Sequence, residues 1–356
     1  MPSVISVLNR ESREAIDNRV LVARTRGRSR SEIIDGTPVE AVGSLGTLFS
    51  TPLAPTYPLT LSRRALDFDI VVHHAPFPLA DLSVSRLSNH IGVVVFWHAD
   101  LISYSQLRWL VTPPIKRSLD RADRIIVADQ TTINNSQFLQ PYRAKCVVIP
   151  YGIDVDYWSS CTTEESIKAE ILRKRHPRLI LALGRLVPYK GFAVLIEALK
   201  GIEGELILIG EGGLRNVLER MAIEFGVSDR VSFLGSLSDA EVKSYLHAAH
   251  VLAFPSVTQA EAFGLVQLQA MAAELPIVNT ALPTAVPKIA RHDLEALTVA
   301  PNDPGLLAAA LNQILADPSL ARRLGQSGKS RVRELYDQEN FMRRVKSIYL
   351  EILGQR

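Results

Sequence analysis

An α/β chain with two doubly wound parallel sheets is predicted by three features of the 356-residue sequence. Short β-rich runs recur along it. Helical patterns separate many of them. The rhythm is interrupted once, over the polar stretch 152–177. Strands that are apolar throughout, rather than alternating, belong to sheets covered on both faces.

The runs are Val20–Ala23, Ile70–Val72, Val93–Trp97, Arg124–Val127 and Val147–Ile149 before the interruption. After it come Leu179–Leu183, Leu206–Ile209, Val231–Leu234, Val251–Phe254 and Ile277–Val278. Helices are expected at Phe192–Lys200, Leu214–Phe225, Asp239–Ala248 and Leu265–Ala273. Ser238 and Glu241 frame the start of the third, in the pattern of a helix cap. Phe341, Val345, Ile348, Tyr349 and Ile352 share one face, so a helix should close the chain.

Composition narrows the function classes. Forty basic against 37 acidic residues leave a charge of +3, too little to argue for nucleic acid, and none is expected as a partner. Two cysteines, Cys146 and Cys161, exclude a disulfide scaffold and a Cys-rich zinc site, and suit a reducing cytoplasm. The longest apolar run, Ile91–Trp97, has seven residues, whereas a membrane span needs about 20. The first dozen residues lack the basic start and long apolar stretch of a signal peptide.

The positive charge is unevenly placed. Arg19, Arg24, Arg26, Arg28 and Arg30 stand together without an intervening acid. Leu107, Leu110, Val111, Ile115 and Leu119 are spaced for one helical face, near Arg108, Lys116, Arg117, Arg121 and Arg124. One reading is a solvated arginine loop and an ordinary amphipathic helix. The other is a basic surface that meets anionic lipid at the inner face of a membrane.

Open α/β sheets bind ligands beyond the carboxyl ends of their strands. Leu179–Leu183 is followed by Gly184 and Arg185, with Lys190 and Gly191 just before a helix. Two cations beside helix amides suit a pyrophosphate; the same spacing also describes a surface loop with two solvated charges. Leu206–Ile209 is followed by Gly210-Glu211-Gly212-Gly213, which lacks the spacing of a dinucleotide loop. Val251–Phe254 is followed by a loop carrying Glu261, Phe263 and Gly264, then Leu265 and Gln269. The amides of Gly264 and Leu265 at a helix start would receive a phosphate. Glu261 beside them would suit sugar hydroxyls.

In order and separation, the segments 184–191, 210–213 and 256–276 resemble those of the retaining glycosyltransferases of family 4. Further matches are Trp97-His98-Ala99-Asp100, Ile149–Asp154 and Val299–Pro304. The stretch His73–Asp81 resembles bacterial α-mannosyltransferases of exopolysaccharide and O-antigen assembly. The resemblance covers roughly residues 20–350. It implies the GT-B fold, two Rossmann-like domains facing each other across a cleft. The domains would be an acceptor-side domain over 1–155, a hinge over 156–177, a nucleotide-sugar domain over 178–335, and a last helix over 336–356 that packs back on the first domain.

The resemblance also implies roles. Gly184, Arg185, Lys190, Glu211, Phe263, Gly264, Leu265 and Gln269 would bind the donor, with Arg185 and Lys190 on its diphosphate. His98 would contact a hydroxyl of the transferred sugar, and Glu261 would hold its hydroxyls. The donor favoured is GDP-mannose. The acceptor would be a glycan or a polyprenyl-diphosphate-linked saccharide. No cofactor and no metal is implied, because cations and helix amides neutralise the leaving diphosphate. Asp67-Phe68-Asp69 and Asp154-Val155-Asp156 have D-x-D spacing, but one precedes a strand and the other falls in the expected hinge. His73 and His74 stay open between a structural role and a substrate contact.

The sequence departs from the family pattern in three ways. Gln269 stands where the second of two glutamates is usual. Glu274, Ala285, Asp293 and Ala296 stand where glycines are usual. The first strand, glycine-rich loop and long helix of the family have at most Met1–Leu8 to represent them, so the first domain is expected to be shortened. These departures support a second reading, an impaired relative that binds nucleotide sugar or partner proteins. A nicotinamide oxidoreductase is disfavoured, because no early strand leads into G-x-G-x-x-G.

Overall fold

The computed structural model describes residues 16–34, 36–48, 51–100 and 108–355; Met1–Leu8 and Leu107 lie outside them. The chain forms two compact units. One holds the described residues up to Tyr151 together with those from Glu339 onward, and the other is Gly152–Gln338.

In the first unit, β1 (Val20–Ala23), β2 (Arg30–Ile34) and β3 (Thr37–Val42) form a small mixed sheet in the order β1-β3-β2. Ile34 pairs with Thr37 across a tight turn whose Gly36 has φ 72°. β4 (Thr47–Leu48) and β5 (Thr51–Pro52) make a short ribbon. A separate parallel sheet runs β6 (Ile70–Ala75), β7 (Gly92–Trp97), β8 (Arg124–Val127) and β9 (Cys146–Val148) in sequence order. Every residue of β7 is buried, as its unbroken apolar run requires. The antiparallel β2–β3 and β4–β5 pairs are additions to the strands expected from the sequence.

The closing helix, Gln338–Gly354, packs within this unit. It buries Phe341, Val345, Ile348 and Ile352, as the spacing predicts. Phe341 meets Phe96 and Tyr151 edge-on, Arg344 donates to the Val148 carbonyl, and Arg124 pairs with Glu351.

In the second unit, six parallel strands form one sheet: β10 (Leu179–Leu183), β11 (Glu205–Ile209), β12 (Val231–Gly235), β13 (Val251–Ala253), β14 (Ile277–Thr280) and β15 (Ala296–Val299). Their spatial order is β12-β11-β10-β13-β14-β15, the 3-2-1-4-5-6 order of dinucleotide-binding sheets. The chain reverses direction across the sheet between β10 and β13. All of β10, β13 and β14 is buried.

The polar stretch after Tyr151 is structured and belongs to the second unit. It carries the helices Val155–Ser159 and Thr163–Arg175. Thr162 and Glu165 cap the longer helix reciprocally, and Glu165 also takes an ion pair from buried Lys243 at 2.9 Å. The Asp239–Ala248 helix starts at the expected place, with Ser238 and Glu241 forming its capping box.

Candidate active site

The switch point between β10 and β13 is where three loops of the second unit converge. Gly191 sits in the left-handed region at φ 68°, and a Cβ there would lie 1.9 Å from the Pro255 carbonyl. The loop after β10 is thereby pressed onto the loop after β13, and Val257 N–H donates to the Tyr189 carbonyl at 2.8 Å. The loop after β11 closes in from the other side. A Cβ on Gly210 would meet the Gly184 carbonyl at 2.0 Å, and Leu186 N–H donates to the Glu211 carbonyl at 2.8 Å. Only glycine permits either approach.

These contacts bring together Gly184, Arg185, Lys190, Glu211 and Glu261. Lys190 Nζ lies 2.5 Å from Glu261 Oε2, and the Ser256 hydroxyl donates to the same oxygen at 3.0 Å. Lys190 also stands over the Phe254 ring, 5.1 Å from its centroid. Arg185 is exposed and leans on the Tyr189 hydroxyl at 3.1 Å. Glu211 is exposed. Buried Phe263 packs edge-on against Tyr336. Gly264 then begins the Leu265–Ala272 helix at φ 86°. Gln267 N–H donates to the Gly264 carbonyl at 3.0 Å, which leaves the amides of Leu265 and Val266 at the helix start as those suited to an anion. Gln269 lies one turn further on and is half-buried.

His98 lies in the first unit, directly after β7. Its Nε2 is 2.9 Å from His74 Nδ1, and its Nδ1 is 2.5 Å from the Tyr151 hydroxyl. Burial is the main force on both rings. It pushes His98 down to about 3 and His74 well below its ordinary range, with the neighbouring imidazoles adding to the effect. Both are therefore uncharged at neutral pH. His73 is different: its Nε2 meets Asp81 Oδ1 at 2.9 Å in a buried pair, while Asp81 Oδ2 has no partner among the described residues. Asp100 accepts from the Trp97 indole at 2.9 Å and from Ser136 at 2.6 Å, fixing the turn that follows His98. His73 and His74 also line a cavity of about 1350 Å³ shared with Leu21, Tyr57, Val71 and Tyr349.

The profile of the family described as Glycosyl transferases group 1 matches residues 163–331, and that of Glycosyltransferase Family 4 matches residues 6–157. The chain is 30% identical over 273 residues to D-rhamnosyltransferase WbpZ of Pseudomonas aeruginosa, covering 76% of this chain and 71% of the relative. The chain belongs to the family 4 glycosyltransferases.

A second relative of this glycosyltransferase is O-antigen chain mannosyltransferase C of Escherichia coli, 25% identical over 296 residues, with 82% of this chain and 77% of the relative covered. Among solved structures, sucrose-phosphate synthase from Thermosynechococcus elongatus superposes with a TM-score of 0.84 at 20% identity, over 100% of this chain and 94% of the other. The fold is that of GT-B glycosyltransferases, with two Rossmann-like domains.

Two of the four glycine replacements in this glycosyltransferase carry backbone strain. Glu274 and Asp293 sit at φ 56° and 58°, where a side chain costs about 1–2 kcal/mol. Ala285 is right-handed helical at φ −67°, and Ala296 is in β15, so neither position needs glycine.

The aspartates of the second D-x-D pair have structural partners: Asp154 caps the Val155–Ser159 helix, and Asp156 pairs with Arg333 at 2.9 Å. The basic helix of the first unit, Arg108–Arg121, is smaller as a charged surface than its sequence indicates. Arg121 is spent on the carbonyls of Leu87, Ser88 and Ile91, and Arg124 on Glu351. Lys116 and Arg117 remain exposed, beside Trp109 and Leu110 at 74% and 56% exposure.

Residues missed in the sequence are Tyr151, Ser256 and the amide pair Gln267 and Asn279. Tyr151 and Ser256 lie inside segments already singled out, but nothing local names their partners. Gln267 and Asn279 are both fully buried and joined by a 2.9 Å hydrogen bond.

Proposed function

We propose that this glycosyltransferase moves a mannosyl unit from GDP-mannose, with retention of configuration, to a glycan or polyprenyl-diphosphate-linked acceptor in polysaccharide assembly. The observation that carries the donor site is the convergence of Arg185, Lys190, Glu261 and the Leu265–Ala272 helix start at the switch point of a six-stranded sheet. A nucleotide diphosphate needs cations and unspent amides at one place, and a sugar beside it needs a carboxylate.

In this reading Arg185 and Lys190 take the diphosphate, with the backbone of Phe263, Gly264 and Leu265. Glu261 keeps Lys190 and Ser256 on Oε2 and offers its other oxygen to sugar hydroxyls. Glu211 and Gln269 serve the nucleoside end. His98 contacts a hydroxyl of the transferred sugar. The bond from the sugar's anomeric carbon to the leaving phosphate oxygen breaks. The acceptor oxygen bonds that carbon on the same face, and its proton passes to the leaving phosphate. Glu261 acts as a hydroxyl ligand and not as a nucleophile, unlike a retaining glycosidase carboxylate.

Mannose is supported by the His73–Asp81 stretch and by the mannosyltransferase relative; the rhamnosyltransferase relative makes a rhamnosyl donor the competing choice. Calorimetry across GDP- and UDP-sugars, followed by mass spectrometry of the product, tests the reading. Tightest binding and turnover with GDP-mannose supports it. Turnover with a rhamnosyl donor alone replaces the sugar. Binding of no nucleotide sugar overturns the donor site.

A lipid-linked acceptor would require the enzyme to come to the bilayer. Among the described residues no helix is long and apolar enough to cross a membrane. We place the contact on Trp109, Leu110, Lys116 and Arg117, helped by Arg26 and Arg28. Each cation contributes about 1 kcal/mol near an anionic surface. Flotation with anionic vesicles at low salt, lost at high salt, is the expected result. Indifference to anionic vesicles would favour a soluble acceptor.

A further inference from the structure

The cavity of about 1350 Å³ in the first unit has no task in the proposed reaction. Its walls include Leu21, Val22 and Ala23 of β1 on one side and Ile70, Val71 and Val72 of β6 on the other. The two strands run the same way. Arg19, just before β1, stands 5.7 Å from the centroid of the Phe68 ring, just before β6. The Tyr57 hydroxyl donates to the Leu21 carbonyl at 3.2 Å, and the Tyr57 ring packs edge-on against Phe77, just after β6. The cavity therefore follows both strands. Along the six residues of β6 that is about 20 Å, at about 3.3 Å per residue. An ordinary small-molecule pocket holds about 300–1,000 Å³, so this longer, mainly apolar space suits an extended hydrocarbon chain.

At its carboxyl end β1 runs into the arginine loop, on the side of the strands where α/β folds bind ligands. The loop is held in one shape. Gly27 has φ 104° and exchanges two backbone hydrogen bonds with Ser44, at 2.8 and 2.9 Å. Gly43 N–H donates to the Ser29 hydroxyl at 2.8 Å, and Arg24 donates to the Arg28 carbonyl at 2.6 Å. Arg26 and Arg28 are exposed, and their guanidinium groups have no partner among the described residues. The acids nearby are spent, Glu32 on Arg30 at 3.1 Å and Glu40 on Arg64 at 2.8 Å. Two guanidinium groups presented on a fixed turn match the oxygens of a diphosphate.

We propose that the first unit binds a prenyl diphosphate, with the diphosphate on Arg26 and Arg28 and the nearer part of the isoprenoid chain between β1 and β6. An apolar cavity alone admits any hydrophobe, and an arginine loop alone admits any anion. Side by side they select an amphiphile with an anionic head. Both arginines belong to the bilayer contact proposed for this enzyme, so a lipid leaving the membrane would meet them first. The inference rests on the reading of a lipid-linked acceptor, and it narrows the acceptor to the lipid-diphosphate class over a soluble glycan.

The test is calorimetric titration of the full-length protein with farnesyl diphosphate, pyrophosphate and farnesol. Farnesyl diphosphate should bind at least about tenfold more tightly than either part, and its binding should survive Arg185→Ala, which removes an exposed cation of the proposed donor site. Arg26→Ser combined with Arg28→Ser should weaken farnesyl diphosphate about tenfold to a hundredfold, the worth of charge-assisted bonds to phosphate. Val22→Trp fills the cavity from a wall position that is 36% exposed. It should weaken farnesyl diphosphate about tenfold, the worth of roughly two buried methylenes, and leave pyrophosphate unchanged. If Val22→Trp does not fold, the wild-type heat-capacity change carries this arm: clearly negative for farnesyl diphosphate and near zero for pyrophosphate. Pyrophosphate binding as tightly as farnesyl diphosphate would leave the cavity to another occupant and overturn the proposal. So would full affinity in the double arginine variant, or loss of all binding in Arg185→Ala. Sugar transfer to a soluble glycan by a protein that does not bind farnesyl diphosphate refutes this proposal alone. Farnesyl diphosphate bound as expected by a protein that never turns over a nucleotide sugar refutes the functional reading alone.

Discussion

Lys190 Nζ and Glu261 Oε2 meet at 2.5 Å, with their side chains only 11% and 9% exposed. Two charges taken this far from water stabilise each other only while both are present. The pair therefore ties the loop after β10 to the loop after β13.

Lys190→Ala should destabilise the second unit by about 2–4 kcal/mol, because it strands a buried carboxylate. Lys190→Met combined with Glu261→Gln should recover at least half of that. Urea midpoints at neutral pH check both, and a double variant no more stable than Lys190→Ala would show that packing, not charge, dominates.

Gln269→Glu should strengthen binding of the nucleotide diphosphate about five- to tenfold, the difference between a neutral and a charge-assisted hydrogen bond. Weaker binding by the Glu variant would show that the site is built around a neutral residue.

Glu274→Gly and Asp293→Gly should each raise stability by about 1 kcal/mol, since both residues occupy positive φ. Lys329 pairs with Glu274 at 2.7 Å on a largely exposed surface, so its loss costs little. Ala285→Gly and Ala296→Gly should lower stability. Thermal melts of the four variants test the contrast.

Gln267 and Asn279 brace the helix that starts at Leu265. The Asn279 amide also donates to the Ala290 carbonyl at 2.9 Å and accepts from Thr298 at 2.7 Å. Asn279→Leu should cost about 2–3 kcal/mol by leaving Gln267 Oε1 and the Thr298 hydroxyl without their Asn279 partner. Adding Gln267→Leu should return part of it, and a double-mutant cycle measures the coupling.

Acid should weaken the first unit before carboxylates titrate. His98 holds its folded value near 3 against an ordinary 6.5. Its stabilisation is full above the unfolded value and is lost as pH falls from about 6.5 toward 3, because only the unfolded chain takes up the proton. His74 is lowered in the same direction. Each contributes a slope of at most about 1.4 kcal/mol per pH unit. Urea midpoints at pH 7.5 and 5.5 should diverge less in His98→Phe than in the wild type.

The parallel strands were legible because burial on both faces leaves no polar alternation, as in Val93–Trp97 and Leu179–Leu183. The β2–β3 hairpin carries its own signal, Asp35-Gly36 between Ile34 and Thr37, of the kind that favours two-residue turns. The arginine-rich stretch beside it reads as loop and masks that signal. β15 (Ala296–Val299) is a further strand that the sequence reading does not include. Arg185, Lys190 and Glu261 were readable as strand-end residues. Their pairing was not, because Lys190 reaches Glu261 only through the fit of Gly191 against Pro255. His98 was readable from its motif, whereas its bonds to His74 and Tyr151 depend on β6 and β9 flanking β7 and β8 in one sheet.

The central claim is that the switch point between β10 and β13 binds the donor diphosphate, and Arg185 tests it most directly. Its side chain is exposed and partnered only by Tyr189 among the described residues, so Arg185→Ala should fold as the wild type does. Calorimetric titration with GDP should show binding to the wild type and a loss of about tenfold to a hundredfold in Arg185→Ala, the worth of charge-assisted bonds to phosphate. Equal affinity for GDP in the two proteins would contradict the account.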